Sequence, residues 1–185
     1  TYAGNTTVMT IDLGGSADQQ NIIQGASWYS SIGDWHDKNV QGTLTIQGQR
    51  LQELVLGSKT DDITIKIDSL EVKESCKSLQ TILLSNITTL KGNLDVSNCT
   101  HLREIYADGT NLAQILLPKG SLEHIEYPDS NQYLALQNYP LLTYDNVVLG
   151  DSINNINDMI ITSCPLIQPI RMLNDIIDKQ ELQGA

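Results

Sequence analysis

Residues 94–125, LDVSNCTHLREIYADGTNLAQILLPKGSLEHI, contain two starts of one short frame, Leu-x-x-(Leu/Ile)-x-(apolar). Along the chain the frame starts five times, at intervals of 28, 23, 20 and 20 residues. The starts are Leu51, Leu79, Leu102, Leu122 and Leu142. Leucine-rich repeats have periods of about 20–29 residues. The sequence therefore predicts a β-rich, leucine-rich-repeat-like solenoid with short parallel strands and irregular turns. The fifth copy is degenerate because Asp145 takes its second apolar position.

A second, weaker family of extended segments lies between the copies of this frame. Its members begin at Leu94, Leu134 and Met159, whereas residues 112–117 resemble the first family more closely. Gly, Pro and Asp separate the two families, as turns require. We therefore expect residues 49–168 to form about five irregular repeats, each with two short extended segments.

Side-chain alternation along the first-family segments predicts which residues face outward. The frame Leu and Ile residues point inward, and stacked layers of them form a continuous aliphatic core. The outward residues mix carboxylates, Tyr and aliphatic side chains, a composition that suits contact with protein or glycan. The alternative is a solvated sheet face without a partner. The candidate binding residues are Glu53, Val55, Thr81, Leu83, Glu104, Tyr106, Asp108, His124 and Glu126.

The three cysteines follow the same period. Cys76 and Cys99 each lie three residues before a frame leucine, and Cys164 lies three residues before Ile167. A redox or metal-binding role is one interpretation. The other, which we favour, is that each Cys is a small buried residue at the turn entering a repeat.

Both ends of the chain depart from the frame. We expect residues 1–48 to form an atypical N-terminal cap, since repeat arrays need covered ends. Within it, residues 5–13 and 42–48 have strand-like patterns, and a helical turn is expected from Asp18. In residues 169–185 the period becomes helical, with Ile170, Leu173, Ile176 and Ile177 on one face. This segment is expected to be a helix of about three turns that caps the array or leads into a following domain.

Composition excludes several classes of function. Eleven basic and 22 acidic residues give a formal net charge of -11, which argues against nucleic acid and anionic membranes as partners. The sequence has no run of 18 apolar residues, so no membrane insertion is expected. Because the chain begins with Thr1 rather than Met, we expect it to be a fragment or processed piece of a longer protein, so the lack of a visible signal peptide carries little weight.

The sequence contains none of the common catalytic or cofactor motifs. It lacks nucleophile elbows, phosphate loops and dinucleotide-binding fingerprints, and His36, His101 and His124 are not expected to converge. We therefore predict no catalytic residues, no metal, no cofactor and no enzymatic activity. Another hypothesis is that the chain is a targeting module beside a catalytic domain elsewhere in the parent protein.

With the repeats laid out, the chain resembles the leucine-rich repeats of Bacteroidales bacteria and their phages, including BspA-like surface proteins. It is most similar to repeat segments of virion proteins of crAss-like and related gut phages. The resemblance covers roughly residues 30–168 and departs from the pattern at Tyr139-Pro140. The matching segments are Ile32-Gly33-Asp34, residues 50–58, Asn98-Cys99-Thr100-His101-Leu102 and Ser163-Cys164-Pro165-Leu166.

This resemblance implies a non-catalytic module of a phage virion protein, in the tail or elsewhere in the particle. Such a module would mediate protein–protein assembly or host attachment, and its partners would be other protein subunits, including copies of itself, or a host-surface protein or glycan. The alternative is an adhesin on a bacterial surface, or secreted from the cell, that binds host protein or glycan.

Overall fold

The computed structural model describes residues 8–12, 31–32, 36–37, 41–149, 156 and 158–183. Within these residues the elements are short strands, a C-terminal helix and a turn of 3-10 helix at Tyr144–Asn146. The elements are β1 (Val8–Asp12), β2 (Ser31–Ile32), β3 (Gln41–Gln47), β4 (Glu53–Val55), β5 (Lys66–Val72), β6 (Thr81–Leu83), β7 (Lys91–Asp95), β8 (Glu104–Tyr106), β9 (Asn111–Leu116), β10 (His124–Glu126), β11 (Tyr133–Gln137), β12 (Val147–Val148), β13 (Asp158–Thr162) and α1 (Pro169–Gln183).

The strands alternate between two sides of a coil. The even-numbered strands form one continuous parallel sheet, sheet I, in the order β12-β10-β8-β6-β4-β2. The odd-numbered strands form the opposite side, as three shorter parallel sheets of β1-β3-β5, β7-β9 and β11-β13. The chain is therefore a β-solenoid with very little helix, which confirms the predicted fold class.

The frame residues build the core between the two sides. Ile105 on β8 lies level with Ile82 on β6 and Ile125 on β10, and all three side chains are fully buried. The leucines that start each copy of the frame are buried as well. Identical aliphatic positions thus stack from coil to coil, which explains how a chain without Phe fills a core.

Each cysteine lies at a tight turn. The amide of Leu102 donates to the carbonyl of Cys99 at 2.9 Å, and the same i to i+3 bond links the other two cysteines to the residues that follow them. All three thiols are buried and none is in a disulfide. Burial, with smaller contributions from Cys76 and Asp95, raises the pKa of Cys99 to about 12. That thiol is protonated at neutral pH, and the predicted burial of the cysteines at turns is confirmed.

Tyr139 occupies the equivalent position where the Asn-Cys pattern is lost. Its ring is buried, and its hydroxyl donates to the buried carbonyl of Pro118 at 2.6 Å. Tyr127 is buried too, but its hydroxyl has no hydrogen-bond partner among the described residues. Burial raises the pKa of both hydroxyls. The two buried tyrosines can therefore be compared directly, because the Tyr139 hydroxyl has a hydrogen-bond partner and the Tyr127 hydroxyl has none among the described residues.

We expect Tyr139→Phe to lower the free energy of unfolding by about 1–3 kcal/mol, because it leaves the Pro118 carbonyl buried without a donor. Tyr127→Phe should be neutral or slightly stabilising, since it removes a hydroxyl that is already unpaired. Urea denaturation of both variants measures the difference. Equal losses of stability would contradict this assignment.

The solenoid extends N-terminal to the predicted boundary at residue 48. β2 pairs with β4, and β3 pairs with β5 and β1, all in parallel. Residues 41–47 thus form a strand of the coil, which confirms the strand predicted at residues 42–48. On β2, Ile32 lies level with Leu54 of β4. The helical turn expected from Asp18 lies outside the described residues.

Two segments pair differently from the sequence prediction. Residues 112–117 were expected to resemble the first family, but β9 pairs with β7 on the opposite side. In the fifth copy of the frame, Val147 rather than Asp145 lies level with Ile125. The 3-10 turn at Tyr144–Asn146 takes up the two extra residues, so an apolar side chain reaches the core position that Asp145 could not fill.

The predicted C-terminal helix is confirmed as α1, but its buried face differs from the expected one. Met172 and Ile176, one turn apart, join the solenoid core, whereas Leu173 and Ile177 are exposed. The guanidinium carbon of Arg171 lies 3.9 Å from the centroid of the Tyr144 ring. The helix is therefore attached to the last coils by an aliphatic contact and a cation–π contact.

Candidate binding face

Sheet I presents two rows of outward side chains. Its three-residue strands β4, β6, β8 and β10 each place one buried residue between two outward ones. The in-register parallel pairing aligns these outward residues from strand to strand. We call this surface the outer face. One row is Glu53, Thr81, Glu104 and His124, and the other is Val55, Leu83, Tyr106 and Glu126.

The outer face contains all of the predicted binding residues except Asp108. That residue lies in the turn after β8, where its Oδ1 accepts a hydrogen bond of 2.5 Å from the Ser85 hydroxyl. The amide of Asn86 also donates to the Asp108 carbonyl at 2.9 Å. Asp108 therefore links the turn after β8 to the turn after β6 in the neighbouring coil. Its side chain is engaged in the scaffold rather than presented on the sheet.

Tyr106 and His124 form the aromatic centre of the outer face. Their ring centroids are 4.9 Å apart with the planes tilted by 34°. The Tyr106 hydroxyl donates to Glu104 Oε2 at 3.1 Å. Burial, together with the charges of Glu104 and Glu126, raises the pKa of Tyr106 to about 12. The phenol is therefore neutral at physiological pH, and its orientation is fixed by its neighbours on the sheet.

Lys59 completes this cluster, although it was not among the predicted residues. Its Nζ lies 2.6 Å from Glu126 Oε1 and 4.7 Å from the centroid of the Tyr106 ring. His124 Nε2 lies 3.1 Å from the same carboxylate oxygen. Burial alone would raise the pKa of Glu126, but the hydrogen bonds from Lys59 and His124 outweigh it and lower the pKa.

The segment carrying Lys59 is held by its own local bonds. The Ser58 hydroxyl donates to Asp61 Oδ2 at 2.8 Å and accepts the amides of Thr60 and Asp61. The Asn86 side chain donates to the Ser58 carbonyl at 3.0 Å. This segment lies in the longest connection from sheet I to the opposite side, residues 56–65. The 28-residue first interval of the repeat was the sequence signal for it.

The described residues show no cluster of metal-ligating side chains. No group of three His, Cys, Asp or Glu side chains among them could hold a metal ion. His101 Nδ1 lies 2.8 Å from the carbonyl of Lys77, in the turns away from the outer face, and His124 belongs to sheet I. In the part of the chain that the structure describes, no helix is long and apolar enough to cross a membrane.

Comparisons of the chain with protein-family models, curated proteins and solved structures found no match.

Proposed function

We propose that the chain is a non-catalytic binding module that contacts another protein through its outer face. The observation that carries the proposal is the ordered cluster of Tyr106, His124 and Glu126 on sheet I. Rigid aromatic side chains flanked by hydrogen-bonded carboxylates lose little conformational entropy on binding, so they are effective contact residues. A hydrogen-bonded sheet holds them in fixed positions, as a preformed binding surface requires.

We further propose that this module belongs to a virion protein of a bacteriophage that infects Bacteroidales. The support is the resemblance of residues 30–168 to repeat segments of such proteins, including the turns at Asn98-Cys99 and Ser163-Cys164. A repeat module in a particle would mediate assembly with other subunits or attachment to the host. The bacterial-surface alternative differs in location and not in the use of the outer face.

Photo-crosslinking tests the proposed contact surface. With benzoylphenylalanine at Leu83, on the outer face, we expect the chain within its parent protein to crosslink to a discrete partner. The same group at Ala135, which is exposed on β11 of the opposite side, serves as the matched control. The absence of a crosslink from Leu83 would contradict the proposal, whether or not Ala135 crosslinks.

The proposed location has its own test. Mass spectrometry of purified particles should find the parent protein at a fixed ratio to the capsid protein. Recovery of the parent protein from the bacterial envelope, and its absence from particles, would contradict the virion assignment and favour the adhesin.

A further inference from the structure

The Lys59 ammonium shows what chemistry the outer face accepts. It is bound by a carboxylate that is 13% exposed and by the face of a tyrosine ring, while the lysine side chain itself remains 41% exposed. A carboxylate beside an aromatic face is a binding arrangement for cations. Because Lys59 comes from a connection and not from sheet I, the arrangement on the sheet is complete without it.

The rest of the outer face is complementary to a cationic partner. None of the outward residues on β4, β6, β8 and β10 is Lys or Arg, and Glu53, Glu104 and Glu126 are among them. The chain as a whole carries a formal net charge of -11. Charge complementarity of this kind favours approach and correct orientation of a basic partner.

We propose that the outer face recognises a lysine-rich segment of the partner protein, and that Lys59 is an internal ligand which the partner's lysine displaces. The proposal rests on the proposed function and names the chemistry of its partner. Lysine fits the site better than arginine. A guanidinium binds a carboxylate best as a fork with both oxygens, and Glu126 Oε1 already has His124 Nε2 at 3.1 Å. A compact ammonium needs only one oxygen and the ring face.

Lys59 is weakly enough held to be displaced. The pair is partly exposed, so solvent screens the attraction, and the cation–π contact adds a modest term. Together these contacts should lower the binding constant of an incoming lysine about three- to tenfold, because that lysine must first displace Lys59. Displacing Lys59 costs binding free energy. A partner with several lysines can recover that cost through its other contacts, so it is favoured over a partner with one lysine.

The test measures binding of fluorescein-labelled hexalysine by anisotropy at about 0.15 M salt, which suppresses long-range attraction. Lys59→Met should raise the affinity about three- to tenfold. Lys73→Met is the matched control, because Lys73 is similarly exposed, pairs with Glu71 on the opposite side, and changes the net charge equally. If both variants change the affinity by the same factor, the attraction is only general charge and the proposal is overturned.

A second arm tests the sheet residues in the Lys59→Met background. Adding Glu126→Gln should abolish the gain in affinity, whereas adding Glu71→Gln should leave it. Thermal melts confirm that each variant is folded. Hexaarginine should bind more weakly than hexalysine to Lys59→Met, and equal or tighter binding would overturn the assignment to lysine.

The two proposals fail in different ways. If hexalysine does not distinguish Lys59→Met from Lys73→Met while Leu83 still crosslinks to a partner, the outer face binds a partner of other chemistry. If Leu83 gives no crosslink, the proposed function itself is wrong.

Discussion

Ile105→Asp is expected to unfold the coils around β8. The side chain is fully buried between Ile82 and Ile125, so an aspartate there would be a charge without a partner in an aliphatic layer. Loss of the isoleucine alone costs about 2–5 kcal/mol, and burial of the carboxylate adds to that. The total is comparable to the whole stability of a small domain, about 5–15 kcal/mol. Because each coil is stabilised by its neighbours, the loss should spread to β6 and β10.

Far-UV circular dichroism and thermal denaturation measure this effect. Glu104→Ala is the control, since Glu104 is the adjacent outward residue on the same strand. Its only described side-chain bond is the one from the Tyr106 hydroxyl, so its melting temperature should remain close to that of the wild type. Leu102→Asp should behave like Ile105→Asp. If either aspartate variant melts as the wild type does, the assignment of inward and outward positions is wrong.

Gly57→Ala is expected to have the second-largest effect, a loss of about 3 kcal/mol. A Cβ at Gly57 would lie 2.3 Å from the carbonyl oxygen of Ser85 and 2.6 Å from the carbonyl carbon of Leu84. Both are main-chain atoms, which cannot rotate away as a side chain would. The amide of Gly57 also donates to the Leu83 carbonyl at 3.0 Å, so separating the two coils would break that bond. Forced shifts of packed backbone typically cost about 1–3 kcal/mol, sometimes more.

Gly92→Ala separates this steric effect from backbone strain. Gly92 has a φ of +79° and no atom within 4 Å of its hypothetical Cβ. Gly92→Ala should therefore lower the free energy of unfolding only by the strain of an alanine in the left-handed conformation, about 1–2 kcal/mol. Guanidinium denaturation of the two variants gives the comparison. A smaller loss for Gly57→Ala than for Gly92→Ala would show that the coils adjust to the extra methyl group.

The solenoid could be predicted from sequence because one buried position recurs in four successive coils. Leu54, Ile82, Ile105 and Ile125 all occupy it, and the spacing of these residues is visible without coordinates. The outward residues of sheet I followed from strict alternation along three-residue strands. The repeat pattern thus predicted both the core residues and the candidate binding face.

Features that depend on a single local bond pattern could not be predicted this way. The 3-10 turn at Tyr144–Asn146 shifts the fifth copy so that Val147 replaces Asp145 in the core. Lys59 reaches Glu126 across 67 residues of sequence, and it lies in the longest of the connections from sheet I to the opposite side. The long first interval of the repeat indicates a longer connection, but no repeated position indicates that Lys59 pairs with Glu126.

The unequal pairing on the two sides of the solenoid has a mechanical consequence. Sheet I is hydrogen-bonded without interruption from β2 to β12, whereas no ladder joins β5 to β7 or β9 to β11. Single hydrogen bonds cross these seams, such as Thr89 hydroxyl to Ile67 carbonyl at 2.7 Å and Gln132 amide to Ala113 carbonyl at 2.8 Å, so fewer bonds oppose separation there than in sheet I. A bending load is therefore expected to open these two seams first, while the continuous hydrogen bonding of sheet I keeps its strands together. The protein would change its curvature while the spacing of the residues on the outer face stays constant.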